Sequence, residues 1–177
     1  MRWYMIDRFE EFESGRRAVA VKNVTGTEES VDHYFPGMTV YPPSLIVEGL
    51  AQTGGLLVAE VNDFKEHVVL AKISNAKFHH LARAGDTLKF TTEILDVKEG
   101  GATMQGSCHI GDQLQAEVSL LFAHLDDRFD KQLWVAADFL RFLRILRLFE
   151  VGRTQQGEPL NPPEWLLKSE AADEATR

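Results

Sequence analysis

Apolar and polar positions alternate from Arg17 to Val24, with Val19 and Val21 on one face and Lys22 on the other, which predicts a β-strand. Ser14-Gly15 supplies a turn ahead of it, and the stretch from Thr25 to Pro43 is rich in turn-formers and charge. From Ser44 to Val61 the chain has helical length, follows Pro42-Pro43, and places Ser44 as N-cap or first-turn residue. Between Leu45 and Ala59 its only ionisable side chain is Glu48, so the helix is expected to be buried on most sides. Four strand-like runs come next: Val68 to Ser74 continuing toward Phe78, Thr87 to Val97, Ala102 to Ile110 and Gln113 to His124. Ala84-Gly85-Asp86, Glu99-Gly100-Gly101 and Gly111-Asp112 separate them, the last two suiting tight hairpins. The order predicts an α+β fold, one buried helix packed on a curved antiparallel sheet.

Past Leu125 the pattern changes. From Ala136 to Val151 apolar residues including Phe139, Leu140, Phe142 and Leu143 surround Arg141, Arg144 and Arg147, which predicts an amphipathic helix with a cationic stripe. The tail from Gly152 to Arg177 is polar, contains prolines and ends acidic; it reads as mostly loose, with Trp165, Leu166 and Leu167 as an anchor. The expected division is residues 1–125 as one domain and residues 126–177 as a helical extension and acidic tail.

The 177 residues carry 19 Lys and Arg against 27 Asp and Glu, a formal charge of −8, and 44% are hydrophobic. One domain with a remainder fits that length. Net acidity repels a phosphate backbone, so no nucleic-acid partner is expected. No apolar run reaches the roughly 18 to 20 residues of a membrane span, and the charged stretch from Met1 to Glu13 does not read as a signal peptide. The expected location is the cytoplasm. A single cysteine, Cys108, excludes an internal disulfide and a cysteine-based metal site, and its alternation with Met104, Gly106 and Ile110 marks it as a small core residue.

Glu48 is the most informative position. Flanked by Leu45, Ile46, Val47, Leu50 and Ala51, its carboxylate costs several kcal/mol of desolvation unless it is paired, protonated or beside solvent in a cleft. It reads either as a satisfied buried residue or as a carboxyl group suited to acid–base work. The segment ahead of it reads Asp32-His33-Tyr34-Phe35-Pro36-Gly37, then Tyr41-Pro42-Pro43-Ser44-Leu45-Ile46-Val47-Glu48-Gly49-Leu50-Ala51-Gln52. This resembles the (3R)-hydroxyacyl-acyl-carrier-protein dehydratases of fatty acid synthesis, whose pattern is H-F-P-G, a short loop, a Pro-Gly pair and a helix reading roughly L-I-I-E-A-L-A-Q. Ile6-Asp7-Arg8, Lys22-Asn23-Val24-Thr25, Lys77-Phe78 and Gly85-Asp86-Thr87-Leu88 extend the resemblance over about residues 4 to 125.

The resemblance implies a hot-dog fold and acyl-thioester chemistry without metal or diffusible cofactor, the substrate riding on the phosphopantetheine arm of acyl carrier protein or coenzyme A. It implies a homodimer, often assembled further into hexamers, with a histidine and a helix carboxylate facing each other across the interface. The histidine removes the C2 proton, the carboxylate helps the C3 hydroxyl leave as water, and a helix-start N–H holds the carbonyl. Glu48 falls on the family carboxylate; Phe35, Gly37, Pro43, Ser44 and Gln52 fall on substrate-binding positions. Two positions depart from the pattern. Tyr34 occupies the histidine position and His33 the residue before it, so in an extended segment the imidazole points away from Glu48. Pro43 replaces the helix-start glycine and has no N–H, leaving the Ser44 N–H or the helix dipole as substitute.

Three readings follow: a dehydratase using His33 or Tyr34 with Glu48, a non-catalytic acyl-thioester-binding relative, and a hot-dog thioesterase in which Glu48 activates water. His79-His80, like His67, His109 and His124, lacks metal-ligand spacing. The arginine stripe reads either as a solvated face or, with Lys77 and Arg83, as a positive patch for an acidic carrier.

Overall fold

The computed structural model describes residues 4–33, 37–98, 100–125 and 135–175. A hairpin of β1 (Arg8–Glu13) and β2 (Arg17–Asn23) leads through a short helix, α1 (Glu29–His33), to the long helix α2 (Pro43–Glu60). The meander β3 (His67–Phe78), β4 (Thr87–Lys98), β5 (Gly101–Ile110) and β6 (Gln113–Leu125) comes next. The chain closes with α3 (Ala136–Ile145), α4 (Leu148–Val151), β7 (Gly152–Arg153) and α5 (Glu164–Glu174). The sheet runs β3-β6-β5-β4-β2-β1-β7, antiparallel except where β7 joins β1. It curls around α2, whose Ile46, Leu50 and Leu57 are fully buried in one core with Phe90, Met104 and Leu120, the hot-dog arrangement.

α2 begins where two prolines stop the preceding chain: Pro42 is the N-cap and Pro43 the first helical residue. Close approach of helix and sheet depends on a glycine. A Cβ on Gly49 would lie 2.6 Å from the Phe90 ring, so only a bare Cα fits there. Lys22, 7% exposed, is the cation beneath the segment leading to α1; its Nζ donates to Glu28 Oε1 at 3.1 Å, and the same oxygen accepts the Thr25 N–H at 3.0 Å.

Three elements differ from expectation. β1 does not show as an alternating strand because its pairing with β2 shifts register between Phe9 and Glu11, so its buried residues, Phe9 and Phe12, lie three apart rather than two. Residues Glu29–His33 form helix α1 within the stretch read as turn-rich. The tail expected to be loose holds α5, which packs on α3 with Leu166 fully buried, and the Trp165 indole N–H donates to the Asp63 carbonyl at 2.9 Å. The C-terminal segment is also joined to the sheet, since Phe12 pairs with Gly152 and the Phe9 N–H donates to the Leu146 carbonyl at 2.8 Å.

Candidate active site

One face of α2 stays outside the core, and the sequence period explains which. Ser44, Glu48 and Gln52 recur every four residues on one stripe, while Ile46, Leu50 and Leu57 take the sheet-facing side. The Glu48 carboxylate is therefore exposed in the single chain, not buried as the flanking residues imply. The side that the sheet does not cover carries Ser44, Glu48 and Gln52, while Thr53 is buried and its hydroxyl donates to the Gly49 carbonyl at 2.7 Å. Glu48 is held from below: Gln52 Nε2 donates to Glu48 Oε1 at 2.9 Å, and Gln52 Oε1 accepts the Met5 N–H at 2.9 Å. The amide of Gln52 thus links the helix stripe to the segment ahead of β1 and aims one carboxylate oxygen.

Beside Glu48 opens a cleft of about 450 Å3. Glu48, Gln52, Gly55, Leu56 and Ala59 form its helix side, Val68, Val69 and Leu70 its β3 side, with Phe122 from β6 and Tyr4, Phe139 and Phe142 completing it. It lies in the size range of small-molecule sites, and its lining is mostly apolar with one carboxylate, the combination that takes an apolar ligand with a reactive polar end.

Helix α2 offers a second polar feature. Leu45 and Ile46 return their N–H groups to the Pro42 carbonyl at 3.0 and 3.3 Å, Pro43 has none, and the Ser44 N–H has no acceptor among the described residues. This leaves one backbone donor at the positive end of an 18-residue helix, one turn from Glu48. Ser44 is a first-turn residue and not the cap. Gly37, in the loop leading to α2, sits at φ 82°, a left-handed conformation that a residue with a Cβ adopts only under strain.

The remaining sequence candidates fall as follows. α1 runs to His33, in the segment expected to be extended. The His33 side chain, Tyr34 and Phe35 lie outside the described residues. His79 and His80 have separate partners, Glu117 Oε2 at 3.1 Å and Gln113 Nε2 at 2.8 Å. Burial pushes the Cys108 thiol up to about 12, which removes it as a nucleophile. The arginine stripe is not a free cationic surface: Arg141 bonds Asp173 at 2.8 Å and Asp138 at 3.2 Å, Arg144 bonds Glu170, and Arg147 bonds Glu150 at 2.6 Å. The acidic tail neutralises it. The aromatic residues at the cleft, Tyr4, Phe139 and Phe142, were not singled out as functional by the sequence; their signal was the spacing of Phe139 and Phe142, one helical turn apart.

No helix among the described residues is long and apolar enough to cross a membrane. The fold is shared with solved structures of low sequence identity. A Streptococcus mutans protein solved with acetyl CoA matches with a TM-score of 0.58 at 14% identity, covering 71% of this chain and 93% of that one. The dehydratase heterocomplex ApeI:P from Xenorhabdus doucetiae matches with a TM-score of 0.60 at 12% identity, covering 71% of this chain and 85% of that one. Curated relatives are nearer in sequence. The 3-hydroxyacyl-acyl-carrier-protein dehydratase FabZ of Symbiobacterium thermophilum is 38% identical over 123 residues, 69% of this chain and 87% of the relative. That of Clostridium kluyveri is 38% identical over 119 residues, 67% of this chain and 83% of the relative. A FabA-like domain matches residues 2–118, which takes in Glu48, its Gln52 support and the β3 side of the cleft and stops short of α3, and on this match the chain belongs to the FabA-like domain family.

Proposed function

We propose that the protein dehydrates (3R)-3-hydroxyacyl thioesters to trans-2-enoyl thioesters, the acyl group carried on the phosphopantetheine of acyl carrier protein. The observation that carries this reading is Glu48, aimed by Gln52 at the head of an apolar cleft, in a chain 38% identical to FabZ dehydratases. The acyl tail lies in the cleft and the thioester carbonyl accepts the Ser44 N–H, whose position at the helix start stabilises the charge that builds on the oxygen. A base takes the C2 proton; the C2–H electron pair forms the C2–C3 double bond as the C3–O bond breaks, and the Glu48 carboxyl proton joins the departing hydroxide as water. His33 and Tyr34 are the residues proposed for the base. Of the two, His33 is the one whose ordinary pKa suits proton removal near neutral pH. No cofactor takes part, and a cytoplasmic location fits such chemistry.

Residues 1–125 form the proposed thioester unit and residues 126–177 its extension. The working unit is proposed to be a homodimer. Among the described residues β3 stands at the end of the sheet with its outer edge unpaired, and Ile73 and Phe78 on it are 46% and 38% exposed. A second copy placed there covers the open side of the cleft and the exposed Glu48.

The test is an incubation with 3-hydroxyacyl and saturated acyl pantetheine thioesters, following conjugated enoyl product and free thiol separately. Enoyl formation that falls by about 10²- to 10⁴-fold in Glu48→Gln is the expected result. Thiol release without enoyl product would make the protein a thioesterase, and binding without either product a non-catalytic acyl carrier; each overturns the dehydratase reading. Loss of turnover in Tyr34→Phe with His33→Ala unaffected would transfer the base role to Tyr34.

A further inference from the structure

The family match ends at residue 118, yet two of the cleft's aromatic residues, Phe139 and Phe142, come from α3, beyond it. They occupy different depths. Phe142 stacks on Tyr4 with ring centroids 4.6 Å apart, and Tyr4 is the neighbour of Met5, which bonds Gln52, so Phe142 stands near the Glu48 end. Phe139 meets Phe64 edge-on at 5.7 Å, the Phe64 N–H donates to the Ala59 carbonyl at 2.8 Å, and the Phe139 centroid is 6.4 Å from that of Phe142, so Phe139 stands one ring farther along, toward Ala59. From Glu48 to Ala59 the helix side of the cleft is about 16 Å long, at ~1.5 Å of rise per residue. Both rings are half-buried and line the cleft. α3 is held in place by its own core residues Leu140 and Leu143 and by α5.

We infer that the C-terminal extension sets which acyl tails this protein accepts: Phe142 walls the cleft beside the reacting end and Phe139 closes it one ring farther on, so that the site fits a medium-length, unbranched apolar tail. The inference rests on the acyl-thioester reading above and deepens it. The occupant is an apolar chain because the lining beyond Glu48 and Gln52 offers no charged side chain to pair with a polar one. Length is read at Phe139, since only a tail that runs past Phe142 by the 6.4 Å between the two rings meets it. Phe142 touches every tail alike.

Binding and turnover are measured separately, so that the inference and the dehydratase reading fail apart. Calorimetry with butyryl-, octanoyl- and palmitoyl-pantetheine, none of which can dehydrate, reads the cleft alone. In the wild type, binding is expected to strengthen from butyryl to octanoyl and to gain nothing further with palmitoyl. Phe139→Ala is expected to raise palmitoyl binding about tenfold relative to octanoyl, with butyryl unchanged, whereas Phe142→Ala weakens all three by a similar factor. Phe139→Leu, which keeps most of the volume, restores a wild-type profile and separates a wall from a folding defect. A rising series in the wild type, or a profile that keeps its shape in Phe139→Ala, overturns the inference. So does the absence of acyl binding in a chain whose dimerisation weakens in both alanine variants, because the cleft would then be a contact between copies. Tail-dependent binding of this form without any enoyl product from 3-hydroxyoctanoyl-pantetheine upholds the inference and sinks the dehydratase reading.

Discussion

Leu166→Ala tests whether the extension is fastened by burial or by charge. α5 meets α3 through Leu166, which is fully buried, and through two ion pairs, Arg141 with Asp173 and Arg144 with Glu170. Truncating a buried leucine removes its transfer free energy and leaves a cavity, about 2–5 kcal/mol in comparable cores. For a domain of this size each kcal/mol moves the melting temperature by roughly 2–4 °C, so a shift of about 4 to 20 °C is expected if α5 unfolds with the rest. Three of the four ion-pair side chains keep substantial water contact, 27% and 29% exposed for Arg141 and Asp173 and 47% for Arg144 against 12% for Glu170, and pairs so placed contribute far less and fade in salt. Melting followed by circular dichroism, with and without about 1 M salt where the screening length is about 3 Å, compares Leu166→Ala with Arg141→Ala/Arg144→Ala. Limited proteolysis within Glu164–Glu174 reads detachment of α5 when it precedes global melting. Leu166→Ala is expected to lower the melting point or expose α5 to cleavage, and salt to change little. A double arginine variant that loses more than Leu166→Ala, or a wild type that loosens in salt, would refute burial as the fastening.

Three further outcomes follow from single features. Gly49→Ala places a methyl 2.6 Å from the Phe90 ring inside the core, and the overpacking, about 1–3 kcal/mol, outweighs the gain of up to about 1 kcal/mol in helix propensity; the urea midpoint is expected to fall. Burial raises the pKa of Glu60, with repulsion from Asp63 adding to it and a Ser14 hydrogen bond opposing. Its folded form holds the proton more tightly than the unfolded form, so stability declines as pH rises from about 4.3 through the raised value, and Glu60→Gln is expected to flatten that decline and to be the more stable protein at neutral pH, as urea titrations between pH 4 and 8 report. Among the described residues Lys77 and Arg83 have no ion-pair partner, and Arg83 bridges to Val40 in the loop that leads to α2. Lys77→Glu/Arg83→Glu is expected to raise KM for substrate on an acidic carrier protein and to leave pantetheine-borne substrate unaffected; an equal rise for both would show that the two residues act on the acyl end.

The elements legible in the sequence are those whose hydrophobic period the fold respects. The helix expected from Ser44 to Val61 is α2, Pro43–Glu60, and the runs from Thr87, Ala102 and Gln113 are β4, β5 and β6 with their ends moved by a residue or so. β1 was hidden by a bulge that breaks its alternation, and α5 by its composition. A helix that buries one leucine and a tryptophan edge has almost no amphipathic signal, and its stability comes from docking on α3 rather than from its own sequence. The same docking decided the arginine stripe. Spacing placed Arg141 and Arg144 on one face, but nothing local could reveal that Asp173 and Glu170, about thirty residues on, would fold back to meet them.

Glu48 separates two kinds of information. Its identity as the one ionisable residue in an apolar helix was plain from the sequence, and the match to the FabA-like domain spans it. Which of its possible settings holds, beside solvent in a cleft, is decided by the fold, because flanking residues report how buried a helix is on average and not which face a single chain leaves open. The open face carries Ser44, Glu48 and Gln52 and adjoins the cleft side formed by Val68, Val69 and Leu70 on β3, whose continuation from Ala71 to Phe78 is exposed. An exposed carboxylate beside a bare strand edge is a poor site for protonating a leaving hydroxyl, since water screens it and competes for the proton. Covering that side raises the desolvation that the sequence led one to expect at Glu48 without moving a residue of the chain itself. The expected burial is therefore a property of the proposed dimer. It follows that charge introduced on the β3 edge, such as Ile73→Lys, should cost turnover through loss of the dimer while leaving the fold of the single chain intact, and that turnover per chain should fall on dilution as the dimer dissociates. Turnover per chain that stays constant while sedimentation shows dissociation would mean that one copy completes the site alone.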